Sequence, residues 1–181
     1  MLTALDLDKV FKRALQNGGE FAEAFYENTT SNQIYYEDKR VDRILSGVDS
    51  GVGLRIIYGG QSVYGYTTEL TAAGLVELAD TLSKVVAGKL TSTGAISFEK
   101  IKPGLNYKIL KDPAGLALKN KLEYVDRANT AAWAACKDIK QVTAGYIETL
   151  RRIEVANSLG HLGEDQKQYL TFYAQLVGER D

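Results

Sequence analysis

Hydrophobic and polar positions in the first part of the chain predict a helix, a set of strands and a second helix. Apolar residues recur at helical spacing after Asp6, a suitable N-cap, and Gly18-Gly19 ends this pattern. Its apolar face comprises Leu7, Val10, Phe11, Ala14 and Leu15. Helical spacing returns from Thr71, another suitable N-cap, and Gly88 is the predicted stop.

Between these helices the pattern predicts antiparallel strands. Short segments rich in aromatic and β-branched residues lie at 21–26, 33–37, 41–45, 52–58 and 62–67, with turn-forming residues between them. We therefore expect five strands in this part of the chain.

The second part repeats the mixture of helix and strands. Residues 89–113 contain both prolines and several small polar residues, which predicts a linker or crossing segment. A long helix is predicted from there to about Lys137, with Leu118, Leu122, Val125, Ala128 and Ala132 on one face. Three more strands are predicted near 141–150, 151–157 and 168–177. The fold class is α+β, with an N-terminal domain at 1–88, the linker at 89–113, and a second, apparently truncated region at 114–181.

Composition and charge exclude several classes of function. Lys and Arg total 22 against 23 Asp and Glu, without a block of like charge, so we expect neither nucleic acid nor an acidic membrane as a partner. A lone cysteine, Cys136, excludes an internal disulfide. The N-terminus lacks the pattern of a signal peptide, and no apolar run approaches the roughly 20 residues of a membrane span. We expect a cytoplasmic protein.

The stretch GVGLRIIYGGQSVYGYT, Gly51 to Thr67, predicts a β-hairpin and not a phosphate-binding loop. A dinucleotide-binding loop needs a third glycine where Ile56 stands, followed directly by a helix. A two-residue turn at Gly59-Gly60 would instead set Arg55 opposite Tyr64, Leu54 opposite Gly65 and Gly53 opposite Tyr66. Each strand glycine then either makes room for the large side chain opposite it or lets a peptide backbone approach the sheet edge.

No catalytic residue, metal ligand or cofactor site emerges from the residues themselves. A hydrolytic zinc site usually needs three protein ligands, and the chain has one histidine, His161, which is predicted to be exposed in a turn. Cys136 lies on an alanine-rich helix face, which favours a small core residue over an activated thiolate. The pairs Glu37-Asp38 and Glu164-Asp165 are interpreted as solvated turn residues.

Three segments in a fixed order resemble the N-terminal half of the TldD/PmbA family of metallopeptidases, also called modulators of DNA gyrase. They are GGEFAEAFYE, YYEDKRVDRILSGVDSGVGLRIIYGGQSVYGYTTEL and RIEVANSLGHLGED, and the closer similarity is to the TldD side. The resemblance implies that zinc is held by an HExxxH helix and a later cysteine in a C-terminal domain that this chain lacks. It also implies cleavage of peptides or unfolded segments by a homodimer, or by a heterodimer of TldD-type and PmbA-type subunits.

For this chain, the resemblance implies a non-catalytic portion that guides substrate and makes dimer contacts. The residues it suggests along the path of a peptide are Arg55, Tyr64, Gly65 and Tyr66. Two alternatives stay open. One is a self-contained binding or assembly module of the PmbA type, and the other is direct nucleic-acid binding, which the charge balance disfavours.

Overall fold

The computed structural model describes residues 2, 6–86, 94–101 and 110–179. Its helices are α1 (Leu7–Leu15), α2 (Ala72–Ser83) and α3 (Leu118–Ala135), with a 3-10 turn at Pro113–Gly115. Its strands are β1 (Phe21–Glu37), β2 (Arg40–Tyr58), β3 (Gln61–Thr67), β4 (Glu99–Ile101), β5 (Ile139–Asn157) and β6 (His161–Gly178). In the described ranges they form one sheet in the order β3-β2-β1-β5-β6-β4, in which β4 runs parallel to β6 and β3 antiparallel to β2. The predicted α+β class is confirmed.

The strands are fewer and longer than predicted. The predicted breaks at 27–32 and 46–51 lie inside β1 and β2, and the break between Leu150 and Arg151 lies inside β5. The eight predicted strands therefore correspond to five, of which β3 keeps about its predicted length and the other four are longer. Strand β4 was not indicated by the sequence. Most polar residues at the predicted breaks are exposed or half-buried, so their hydrophilicity marks sheet surface and not turns.

The predicted hairpin is confirmed together with its register. Gly59 and Gly60 have φ of 50° and 74°, the left-handed values that a two-residue turn of this type requires. Arg55 pairs with Tyr64, and Leu54 pairs with Gly65. The turn between β1 and β2 places two non-glycine residues, Asp38 and Lys39, in the same left-handed region, with φ of 45° and 71°.

The two N-terminal helices follow their predicted patterns. The side chain of Asp6 accepts a hydrogen bond from Lys9 N at 3.3 Å, and the hydroxyl of Thr71 accepts one from Gly74 N at 3.1 Å. All five residues of the predicted α1 face are buried. Gly88, the predicted stop of α2, lies outside the described residues, as do 89–93 and 102–109 of the predicted linker.

The chain forms two compact units, each made of three segments. Unit 1 comprises Met1–Asn28, Asp49–Asn106 and Arg152–Gln166, and unit 2 comprises Thr29–Val48, Tyr107–Arg151 and Lys167–Asp181. Strands β1, β2, β5 and β6 each contribute residues to both units. The core of unit 1 is built from α1, α2 and the strand residues that face them, including Phe11, Leu54, Ile56 and Leu75. The domain limits 1–88, 89–113 and 114–181 stay a prediction.

Helix α3 of unit 2 buries only part of the predicted face: Val125 and Ala132 are buried, and Leu122 packs against the core. Leu118 is 49% exposed, whereas Lys121 and Asn129 are buried beside Val125. The prediction that Cys136 is a core residue is also wrong, because α3 ends at Ala135 and Cys136 is exposed. None of the helices in the described ranges is long and apolar enough to cross a membrane.

The polar residues beneath α3 form a closed cluster around the buried carboxylate of Glu148. Lys121 Nζ and Asn32 Nδ2 donate to its Oε1 at 2.6 and 2.9 Å, and the hydroxyl of Tyr146 donates to its Oε2 at 2.8 Å. A buried carboxylate is costly unless it is paired and hydrogen-bonded, and here both oxygens are satisfied. The cluster therefore joins α3, β1 and β5 through a single side chain.

Removing the cation of this cluster should destabilise the protein strongly. Lys121→Met leaves Glu148 charged and buried without its ion-pair partner, so we expect the free energy of unfolding to fall by about 3–5 kcal/mol in urea titrations. The matched control Lys119→Met removes an exposed lysine of the same helix and should cost less than about 0.5 kcal/mol. Lys121→Met combined with Glu148→Leu should recover most of the loss. A loss below about 1 kcal/mol in the single variant would contradict the importance of the pair.

The cluster also predicts a loss of stability at alkaline pH. Burial, together with the hydrogen bond to Glu148, raises the pKa of the Tyr146 hydroxyl. The phenol thus stays protonated in the folded protein above pH 10, where it ionises in the unfolded chain. The contribution of Tyr146 to the free energy of unfolding is complete below pH 10. As the pH rises above that value, this contribution falls by up to about 1.4 kcal/mol per pH unit.

Urea unfolding between pH 8 and 11 measures this loss. The wild-type free energy of unfolding should decline more steeply above pH 10 than that of Tyr146→Phe. Tyr36→Phe is the control, because the pKa of Tyr36 is raised by a separate hydrogen bond to Asp126. In Tyr36→Phe the free energy of unfolding should still decline above pH 10, because Tyr146 is still present. If the free energy of unfolding declined equally steeply with pH in the wild type and in Tyr146→Phe, Tyr146 would not be a source of the alkaline loss of stability.

Candidate functional site

The outer face of the unit 1 sheet carries a groove between aromatic side chains. Strand alternation turns Leu54 and Ile56 into the core, so Gly53 and Arg55 face outwards. In the neighbouring strand β1, Ala22 and Ala24 are buried and the residues between and after them face the same outer side. The groove has a volume of about 290 Å³, and the residues that shape it are Phe25, Glu27, Asp49, Gly53, Tyr64 and Tyr66.

Two tyrosines of β3 form the wall of the groove. Tyr64 is 63% exposed and Tyr66 is 75% exposed, although an aromatic ring normally gains from burial. The ring of Tyr64 lies diagonally over Gly53, where a Cβ atom would stand 2.5 Å from its hydroxyl oxygen. Glycine is thus required for the ring to lie on the backbone. The prediction that Tyr66, the residue directly opposite, covers Gly53 is therefore wrong. The ring of Tyr64, two residues earlier in β3, covers it instead.

Gly65 lies on the other face of the hairpin. A Cβ atom there would be 3.0 Å from Leu82 Cδ2 and 3.1 Å from Leu78 Cδ1 of α2. The expectation that Leu54 covers Gly65 is therefore wrong, since the helix packs directly on this position. Of the four predicted substrate residues, Tyr64 and Tyr66 line the groove, and Gly65 lies against the helix. Arg55 is exposed nearby but is not among the residues that line the groove.

The groove is lined by two acidic residues, of which Asp49 is exposed. Glu27 and Asp49 line it, and no lysine or arginine does. The nearby guanidinium of Arg55 is neutralised by Glu23, whose Oε1 lies 2.7 Å from Arg55 Nη2. The exposed carboxylate of Asp49 beside these aromatic rings can attract cationic groups by charge, and the rings can do so by cation–π contact.

The groove borders the edge of the sheet. Strand β3 is the last strand in the described sheet order, with β2 as its neighbour. An edge strand presents backbone donors and acceptors to an incoming extended chain. The tyrosine face and the strand edge thus lie side by side on one short strand.

The remaining sequence candidates have structural partners. Glu37 Oε1 accepts from Gln141 Nε2 at 2.8 Å, and Asp38 Oδ1 accepts from Val142 N at 3.3 Å, so this pair connects the β1–β2 turn to β5. Glu164 lies within β6 and forms an ion pair with Lys100 at 2.5 Å. Asp38 is thus an exposed turn residue, as predicted, whereas Glu164 and Asp165 lie within a strand, where Glu164 is nevertheless exposed.

The described residues do not fit a zinc site. In that part of the chain no three His, Cys, Asp or Glu side chains come together in a group that could hold a metal ion. His161 is exposed at the start of β6, where its backbone N–H donates to Asn157 Oδ1 at 3.2 Å. We therefore derive no metal-dependent step from these residues.

Sequence reasoning missed three residues of the groove: Phe25, Glu27 and Asp49. A signal for two of them was present, because Phe21-Ala22-Glu23-Ala24-Phe25 alternates large and small residues with the period of a strand. Asp49 lay in a segment that we interpreted as a turn, although it belongs to β2.

Comparison with known families gives two matches. The family description "PmbA/TldA metallopeptidase domain 1" matches residues 22–86, and "PmbA/TldA metallopeptidase central domain" matches residues 111–181. Together they span most of the chain. They do not distinguish the TldD type from the PmbA type.

Three crystal structures have a similar fold. A candidate modulator of DNA gyrase from Bacteroides thetaiotaomicron has a TM-score of 0.74 at 17% identity, over 94% of this chain and 40% of that one. A candidate modulator of DNA gyrase from Thermotoga maritima has a TM-score of 0.68 at 18% identity, over 96% of this chain and 39% of that one. TldE from Thermococcus kodakarensis has a TM-score of 0.65 at 13% identity, over 94% and 39%. The chain thus spans about two fifths of the length of these relatives.

Proposed function

Because this chain belongs to the PmbA/TldD metallopeptidase family, we propose that it is the N-terminal, non-catalytic portion of a TldD-like zinc metallopeptidase that cleaves peptides or unfolded segments. The chain spans about two fifths of its structural relatives, which supports a further catalytic portion. In the full-length protein, an HExxxH helix would hold zinc, and its glutamate would act as general base for the attack of water on a peptide carbonyl. The protein acts in the cytoplasm as a homodimer, or as a heterodimer of TldD-type and PmbA-type subunits.

The single observation that supports substrate guidance is the groove beside β3. It combines exposed rings of Tyr64 and Tyr66 with the edge of a strand, which suits an extended peptide better than a folded domain. An extended chain can bond to the edge through its backbone while its side chains reach the tyrosines. This chain then holds an unfolded segment while the catalytic portion cleaves it.

A second candidate function is a binding or assembly module of the PmbA type, without catalysis. The absence of a metal-binding group among the described residues fits both candidates, because the first places its zinc outside this chain. Both candidates use the same groove. They differ only in what the rest of the protein contains.

The full-length gene product distinguishes the two candidates. We expect its sequence to include HExxxH, its purified form to contain about one zinc per chain, and its incubation with an unfolded polypeptide to yield fragments by mass spectrometry. Residues 1–181 alone should yield no fragments under the same conditions. A full-length protein without HExxxH that cleaves no polypeptide, alone or mixed with candidate partners, would replace the peptidase by the PmbA-type module.

The exposed carboxylate of Asp49, together with the tyrosine rings, predicts a preference for peptides with cationic side chains. Fluorescein-labelled octapeptides that differ only in a central lysine, norleucine or glutamate can be titrated against the protein by fluorescence anisotropy. We expect the lysine peptide to bind about 3–10 times more tightly than the norleucine peptide, with a difference that shrinks as salt is added.

Matched variants locate this preference in the groove. Asp49→Asn and Tyr66→Leu should each reduce the lysine preference, whereas Asp42→Asn and Tyr169→Leu, which change exposed residues in unit 2, should not. Equal binding of the lysine and norleucine peptides would refute the charge preference alone. Failure of all three peptides to bind would refute substrate guidance by this groove.

A further inference from the structure

Strand β3 directs the backbone groups of alternate residues toward the open edge of the sheet. The carbonyl oxygen of Thr67 faces the other way, toward β2, because a Cβ atom on Gly51 of β2 would stand 3.2 Å from it. Successive residues of an antiparallel strand direct their N–H and C=O groups to opposite sides. Gly65 therefore also faces β2 with its backbone groups, whereas Tyr64 and Tyr66 face the edge with theirs.

The exposed rings and the open backbone groups thus belong to the same two residues. Tyr64 and Tyr66 turn largely exposed rings to the outer face of the sheet. Their N–H and C=O groups point to the side on which the described sheet has no further strand. In antiparallel pairing, a peptide residue directly opposite either tyrosine would exchange both backbone hydrogen bonds with it, and its side chain would lie on the same face as the ring.

The peptide residue between these two would meet a different surface. It would lie opposite Gly65, and strand alternation would turn its side chain to the inner face, where α2 packs on the hairpin. A Cβ atom on Gly65 would be 3.1 Å from Leu78 Cδ1, and Leu78 is only partly buried. Because an added strand lies roughly 4.8 Å from its neighbour, this side chain would come against Leu78. An apolar side chain gains from that contact.

We propose that β3 binds an extended segment antiparallel to itself, with an apolar residue between two residues whose side chains face the tyrosines. The site rests on the proposed substrate guidance and adds to it the direction of the segment, the backbone groups that are bound and the residue type at the middle position. Antiparallel pairing lets one peptide residue contact both the backbone and the ring of a tyrosine. In parallel pairing the backbone bonds would go to the residues on either side, whose side chains point away from the ring.

Methylation of single backbone nitrogens in the peptide tests this pairing on the unmodified protein. The parent is a fluorescein-labelled octapeptide with lysine, valine and lysine at its third, fourth and fifth positions, titrated by fluorescence anisotropy. N-methylation of either lysine should weaken binding about tenfold, because it removes one hydrogen bond to β3 and places a methyl group at the edge. N-methylation of the valine, whose N–H faces away from β3, should change binding less than about twofold. Replacing the valine with serine should weaken binding about threefold.

The pairing and the proposed substrate guidance fail by different results. If the parent peptide bound and methylation of all three nitrogens had the same effect, or none had any, the pairing with β3 would be overturned and binding in the groove would stand. If only methylation of the valine weakened binding, the antiparallel direction would be overturned. If serine bound as well as valine, the apolar middle position would be overturned. Failure of the parent peptide to bind would overturn both the pairing and the substrate guidance.

A variant of β3 tests the same pairing from the side of the protein. Ser62, two residues before Tyr64, also directs its N–H to the edge. Ser62→Pro removes this donor without removing a bond to β2, which is the position in which an edge strand accepts proline. We expect it to weaken the parent peptide about tenfold, whereas the control Ser62→Ala, which removes only the hydroxyl, should bind as the wild type does. Unchanged binding in Ser62→Pro, with a circular dichroism spectrum like that of the wild type, would refute the pairing.

Discussion

The buried carboxylate of Glu148 is the constraint on which the arrangement of unit 2 depends. A charge removed from water must find donors, and Glu148 finds them on a helix, on a neighbouring strand and on its own strand. This need explains why α3 turns Lys121 inwards and leaves Leu118 half-exposed. The same contacts fix the ring of Tyr146, which forms part of the wall of a surface cavity in unit 2.

Local patterns were enough to predict the parts of the fold that short-range interactions determine. The faces and caps of α1 and α2 follow from spacing and from one capping side chain each. The hairpin register follows from two adjacent glycines, because a two-residue turn leaves only one way to pair its strands. The same register pairs Arg55 with Tyr64 and Gly53 with Tyr66, as predicted.

Features that depend on distant residues were not predictable in this way. The strands continue through polar segments because neighbouring strands occupy their backbone hydrogen bonds, and no residue within those segments signals a neighbour. The burial of Lys121 depends on Glu148, which lies 27 positions away in sequence. Asp49 lines the groove because β2 is continuous through this segment and lies next to β1. In each case a partner remote in sequence overrides the local preference.

The division of each unit among three segments of the chain restricts how this protein can have evolved. A gene fragment encoding any continuous half of the sequence would specify two incomplete cores, since β1, β2, β5 and β6 each supply residues to both. Recombination could therefore transfer the pair of units between genes, but not one unit without the other.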